Sequence, residues 1–264
     1  MAGKKKDTSL LHHLIGSRSL VWNLAKNDIK KKFAGSYFGV VWAFVQPVIT
    51  VLLYWFVFEK GLNSKATDLR TGIEIPFVLW LTAGLVPWFY FQEALNGGTG
   101  VLVEYSYLVK KVVFQIDMLP VVKMISALFT HLFFVAFTIV LFICMGYMPD
   151  WYALQVVYYS FCMILFATGL VYATSAVTVF FRDMKEVVGI LLQIGMWVTP
   201  IMWNFETMVQ IPGWAITVLK LNPMYYIVSG YRNALINHIG FWEDMGLTVY
   251  FWVVTAVILF LGTT

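Results

Sequence analysis

Residues 37–58 read YFGVVWAFVQPVITVLLYWFVF, twenty-two positions without a charge. A helix needs about 20 apolar residues to cross the hydrocarbon core of a bilayer. This run is therefore long enough to span, and it sets the fold class for the rest of the chain. The whole sequence agrees with it. Of 264 residues, 60% are hydrophobic, 18% are aromatic and only 12% are charged. Ordinary soluble domains carry about 25% charge. A soluble domain this poor in charge could not cover its surface, and a disordered chain would be richer in charge and poorer in apolar residues. The expectation is an all-α integral membrane protein.

Outward from that run, five more apolar stretches follow: 75–92, 124–147 (interrupted only by His131), 151–181, 187–205 and 245–262. Six spans place both termini on one side. The positive-inside rule gives that side. With an inner N-terminus, segments 1–36, 93–123 and 182–186 hold 13 of the 18 basic residues, and the outer segments hold five. The first 35 residues carry eight Lys or Arg and no apolar core of leader length, so the first span is expected to be an uncleaved anchor. Cys144 and Cys162 both lie in apolar runs, which reads as two membrane thiols rather than a disulfide framework.

Two segments do not fit plain spans. In residues 9–34, Leu11, Leu14, Ile15, Trp22, Ala25 and Ile29 share a helical face, while Asn23, Lys26, Asn27 and Lys30 lie elsewhere. This predicts an amphipathic helix in the cytoplasmic interface, residues 1–35, serving as an anchor or as a gate or docking helix. Residues 206–240 are apolar but broken by Pro212, Gly213, Asn222, Pro223 and Gly230. The pieces 207–219 and 222–231 are too short to cross, so two re-entrant half-helices from the outer side are expected, either as part of a pathway or as a cap.

Catalytic and metal-binding sets are hard to find. There is no H-E-x-x-H, no C-x-x-C and no G-x-x-x-x-G-K-[ST]. Asn96-Gly97-Gly98-Thr99-Gly100 reads as the end of the second span rather than as a phosphate loop. His131 is expected to make a polar helix–helix contact, and Gly35-x-x-x-Gly39 to let two helices approach. Two charged inner elements stand out, a helix over 101–113 and the short loop 181–186, and both suit docking of a cytoplasmic partner. A membrane enzyme acting on lipid-linked sugars would need a carboxylate or His cluster, and a channel or secondary transporter would need filter or relay residues. The sequence offers neither.

Lys26-Asn27-Asp28-Ile29-Lys30 followed by Gly35-Ser36-Tyr37-Phe38-Gly39, Trp42 and Pro47 resembles the entry to the first span of type-2 ABC exporter permeases. Tyr107 to Phe114 with Leu119-Pro120 is similar to that family's first coupling helix. Phe180-Phe181-Arg182-Asp183 resembles its second inner loop, and Leu221-Asn222-Pro223-Met224 with Arg232 its outer half-helix region. The likeness is to the polysaccharide exporters, which include those of wall teichoic acid and of O-antigen, and the Leu108–Phe114 run leans toward teichoic acid. It implies a homodimer in the bacterial cytoplasmic membrane with two ATP-binding cassette subunits below, which bind ATP and Mg. The 36–264 region would then be a permease without a cofactor or catalytic residues of its own. Its cargo would be a glycopolymer on undecaprenyl diphosphate, not nucleic acid. Glu104, Tyr105, Tyr107, Leu108, Lys110, Lys111, Arg182, Asp183 and Lys185 would couple to the ATPase subunits. Lys30, Lys31 and Lys32 would meet the carrier diphosphate and membrane lipid, and Tyr37, Trp42, Tyr54, Trp55, Trp197 and Trp203 would line the path.

Overall fold

The computed structural model describes residues 18–32, 34–106, 116–203 and 212–263. They are almost wholly helical. Helix α1 (Arg18–Lys32) is followed by α2 (Gly39–Gly61), which tightens at its start and widens into a π-helical turn at its end. A two-stranded antiparallel hairpin, β1 (Ala66–Thr67) and β2 (Glu74–Ile75), leads into α3 (Phe77–Thr99). A single turn at Val101–Glu104 precedes α4 (Leu119–Cys144), α5 (Gln155–Phe180) and α6 (Met184–Val198). Two short helices, α7 (Gly213–Lys220) and α8 (Pro223–Arg232, extended by a π turn through Asn237), lead to α9 (Met245–Thr263). The helices run between two ends. The basic end holds α1 and the 181–183 loop. The opposite end holds the hairpin.

Four helical stretches are long and apolar enough to cross a membrane: Gly39–Gly61, Ile116–Cys144, Trp151–Phe180 and Met245–Thr263. Helix α3 is as long as α2 but carries Gln92, Glu93 and Asn96. It is the centre of the molecule instead. Eighteen of its 23 residues are buried, and α2, α4, α5, α6 and α8 pack around it. Helix α6 departs from the expected 187–205 span. It stops at Val198, because Pro200 cannot continue a helix and holds Thr199 in extended backbone. Its 15 residues reach about 22 Å, short of a core of about 30 Å.

The glycines divide between expected and unexpected roles. Gly35 and Gly39 have positive φ, 83° and 51°, and nothing lies near them. They shape the turn into α2, and no helix packs on them among the described residues. Helix α3 passes Gly97 and Gly98 and ends at Thr99 with Gly100 as its C-cap, so the Asn96–Gly100 run closes it as expected. The space they leave takes the Lys123 stem at Gly97 and the Val171 side chain at Gly98. The close helix–helix approach is between α5 and α9, where a Cβ on Gly169 would lie 2.8 Å from the Leu259 nitrogen. Backbone cannot step aside, so Gly169→Leu should cost about 1–3 kcal/mol. A lowered thermal unfolding midpoint in detergent checks this, and an unchanged midpoint would refute it.

His131 joins three helices. Its Nε2 lies 3.3 Å from Ser160 Oγ on α5 and 3.1 Å from the Tyr231 hydroxyl on α8. At the hairpin end, Asp68 accepts from Thr71 Oγ1 at 2.5 Å and from the Arg70 amide at 2.8 Å. Burial pushes the Asp68 carboxyl up, but those donors outweigh it and hold it below the ordinary range. The Leu69 amide donates to Asn237 Oδ1, and His238 Nδ1 lies 2.7 Å from Asp150 Oδ2, so the hairpin, the α4–α5 turn and the end of α8 are tied together.

Candidate functional site

The basic end is assembled from two small apolar clusters with ionic groups between them. Val21 and Ala25 of α1 pack on Met118 and Val122 beside the start of α4. Ser126 Oγ donates to the Ala25 carbonyl at 3.1 Å and fixes the crossing. The turn at 101–104 is held separately, by Val101 and Tyr105 against Leu119. The expected apolar face of α1 is rotated. Trp22 is 45% exposed against Phe129, whereas Val21, Ala25 and Asp28 point inward. The spacing i, i+4, i+7 puts all three on one stripe, so an acid sits where an apolar residue belongs.

Lys123 on α4 answers that acid. Its Nζ lies 2.7 Å from Asp28 Oδ1 and 3.0 Å from Glu104 Oε2. The Tyr105 hydroxyl donates to the same Asp28 oxygen at 2.7 Å, and the Tyr105 ring lies between Lys31 and Lys123, 5.5 and 5.4 Å from its centroid. The Asp28 and Lys123 side chains are 11% and 13% exposed, so the pair is largely out of water, and Glu104 is half open at 55%. Three elements far apart in sequence thus share one cation: α1, the 101–104 turn and α4.

Beside this junction lies a cleft of about 490 Å³ between α1, α2, α3 and α4. Lys32, Glu93, Gln46, Gln92, Asn96 and Lys185 are among its lining residues, and Lys32 and Glu93 form an ion pair of 2.7 Å. Gly97 and Gly100 let the Lys123 and Lys185 stems lie close to the backbone. The cleft sets both signs of charge against a largely apolar wall, which suits recognition of an amphipathic group with a polar or zwitterionic head at a membrane surface.

The residues singled out from sequence are distributed as follows. Glu104 is in the junction, and Tyr105 is buried there at 3% exposure, turned to Asp28. Arg182 and Asp183 are exposed in the loop before α6, and Lys185 lines the cleft. Tyr107, Leu108, Lys110 and Lys111 lie outside the described residues. Lys30 is on α1, Lys31 lies over Tyr105, and Lys32 bridges to Glu93. Tyr37 is 97% exposed before α2; Trp42, Tyr54 and Trp55 follow on α2, with Lys60 5.7 Å above the Trp55 ring. On α6, Trp197 is exposed, and its carbonyl accepts from Trp203 Nε1 at 2.8 Å. Asp28, Lys123 and Glu93 were not singled out as a set. The available signal was the acid on the apolar stripe of α1.

Residues 19–236 match the family described as ABC-2 type transporter. The chain belongs to that family. The match starts in α1 and ends within the π turn after α8, so it takes in the junction, the cleft and most of the helical bundle. Among curated proteins, the chain is similar to the O-antigen export system permease protein RfbA of Myxococcus xanthus, 25% identical over 229 residues, which covers 87% of this chain and 85% of that protein. It is also similar to the protein of the same name from Klebsiella pneumoniae, 22% identical over 218 residues, covering 81% and 79%. Family membership and the long apolar helices make this a membrane transport protein.

Proposed function

We propose that this chain is the membrane half of an ATP-driven exporter for a lipid-linked cell-surface polysaccharide of the O-antigen kind. The observation that carries the reading is the similarity, over more than three quarters of each chain, to two permeases named for O-antigen export. The teichoic acid reading rests on the short 108–114 run alone, and neither relative bears that name. In the proposed assembly two copies pair, and two ATP-binding subunits sit at the basic end on the cytoplasmic side of the inner membrane. Helix α3, and α6 together with the non-helical stretch 199–203 that continues it, complete six crossings with the four long apolar ones, and α7 and α8 are re-entrant from the outer side. Both termini are cytoplasmic. The 101–113 segment and the 181–186 loop receive the stroke of ATP binding. The lysines at 30–32 draw the carrier diphosphate to the cleft, since clustered cations attract anionic headgroups. The aromatics on α2 and α6 face the passage between copies and stack on sugar rings.

Purifying the chain from its native membrane in mild detergent, with mass spectrometry of the co-purifying proteins and lipids, tests this. We expect an ATP-binding subunit in equal amount and a lipid-linked glycan. Recovery without an ATPase, under conditions that keep other transporter complexes intact, would overturn the reading. A polyol-phosphate polymer on the carrier would return teichoic acid to first place.

A further inference from the structure

Helix α8 grips the end of α6 at two points. Arg232, 6% exposed, lies with its guanidinium 3.3 Å over the Trp80 ring. All three of its nitrogens donate to main-chain carbonyls: Nε to Trp80 at 3.3 Å, Nη1 to Pro200 at 2.6 Å and Nη2 to Ile201 at 2.7 Å. Gly84 makes room, because a Cβ there would sit 2.7 Å from Nη2. At the other end of the same ten-residue helix, Asn222 Oδ1 accepts from the Met224 amide at 3.0 Å, while its Nδ2 donates to Thr199 Oγ1 at 2.8 Å. Both ends of α8 therefore hold residues 199–201, the break that follows α6.

Along its own length α6 is held loosely. Only Val188 and Leu192 of its 15 residues are buried, and Ile190, Leu191, Ile194 and Trp197 are exposed. Its basic end starts in the exposed loop 181–183. A buried guanidinium whose acceptors are neutral carbonyls is costly to place unless every donor finds its oxygen. Here it joins three stretches of chain, from α3, α6 and α8, at one point. A rod fixed at one end and held only lightly at the other turns about the fixed end when pushed.

We propose that Arg232 and Asn222 are positioning residues for export: they clamp the hairpin end of α6, so that force on the 181–186 loop swings the helix about that clamp instead of sliding it. This rests on the export reading above, in which an ATP-binding subunit pushes on that loop. Arg232→Lys keeps the charge but lacks the fork, and Asn222→Ala removes the second grip with a smaller change. Both are made in the complex with its ATP-binding subunit and studied by hydrogen exchange, ATP hydrolysis and surface polysaccharide. We expect amide exchange over 195–203 to rise at least about tenfold in both, and exchange over 184–192 to move by less than about twofold. ATP hydrolysis persists while surface polymer falls at least about fivefold, since misdirected motion costs transport before it costs hydrolysis. Unchanged exchange over 195–203, an equal rise along the whole chain, or full export despite local loosening would each overturn the clamp. If the unmodified complex puts no polysaccharide on the surface, the export reading fails, and the exchange pattern still decides whether the clamp exists.

Discussion

Lys123→Met should abolish export while the assembled complex continues to hydrolyse ATP, and combining Asp28→Lys with Lys123→Asp should restore part of it. Lys123 is the cation common to Asp28 and Glu104, and its removal leaves the Asp28 carboxylate, 11% exposed, without that charge and with the Tyr105 hydroxyl still donating to it. Stranding one member of a largely buried pair costs about 3 kcal/mol. The loss falls on the docking of α1 and not on the bundle, because the remaining ties of α1 include only the small contact of Val21 and Ala25 on Met118 and Val122, the Ser126 hydrogen bond and the exposed Lys32–Glu93 pair. About 3 kcal/mol is roughly a hundredfold in the ratio of docked to undocked helix. In the proposed exporter the stroke enters at 101–104, and with α1 undocked it would no longer reach the α1 wall of the cleft. The swap recovers the attraction between α1 and α4 but puts the exchanged carboxylate on α4 beside Glu104, so recovery is partial. Surface polymer and ATPase rate, measured together, check both results. Normal export by the single Met variant would remove the junction from the mechanism.

Three of the four long apolar helices could be read to within three residues, because burial in lipid demands a continuous apolar run. The run at 37–58 becomes Gly39–Gly61, 151–181 becomes Trp151–Phe180, and 245–262 becomes Met245–Thr263, whereas 124–147 becomes Ile116–Cys144 and starts eight residues early, across Lys123. What hydropathy could not show was where helices stop for packing reasons. Helix α3 continues seven residues past Gln92 because Lys123 and Val171 fill the places its glycines leave open. Helix α6 ends seven residues before Phe205 because of Pro200. The junction was hidden for another reason. Asp28 and Lys123 are 95 positions apart, and charge pairing across such a distance leaves no periodic trace. Only the acid on an otherwise apolar stripe of α1 hinted at it. Arg232 was visible as a residue of the half-helix region, but its acceptors are backbone carbonyls, which carry no sequence signature at all.

Gly230→Ala should prevent accumulation of folded protein, whereas Gly189→Ala should leave the isolated chain at least as stable as before. The two glycines are both helical and differ in what surrounds them. A Cβ on Gly230 would lie 2.1–2.4 Å from three atoms of the Tyr159 ring, which is 2% exposed and packed against Tyr158 and Tyr226 at 5.1 and 5.3 Å between centroids. The ring has nowhere to go, so α8 must lift from α5 at a cost of about 3 kcal/mol or more. Gly230 lies two residues before Arg232, and lifting α8 also pulls the guanidinium from the Pro200 and Ile201 carbonyls, so the loss compounds. At Gly189 nothing lies within 4 Å, and alanine there gains about 0.5–1 kcal/mol of helix propensity. Thermal unfolding in detergent reads both changes. A folded, unshifted Gly230→Ala protein would show that α8 is not seated on α5 as described. The Gly189 variant also reports on assembly. If it is stable alone but weakens pairing of two copies, the bare face of α6 is covered by the second copy, as the proposed passage between α2 and α6 requires.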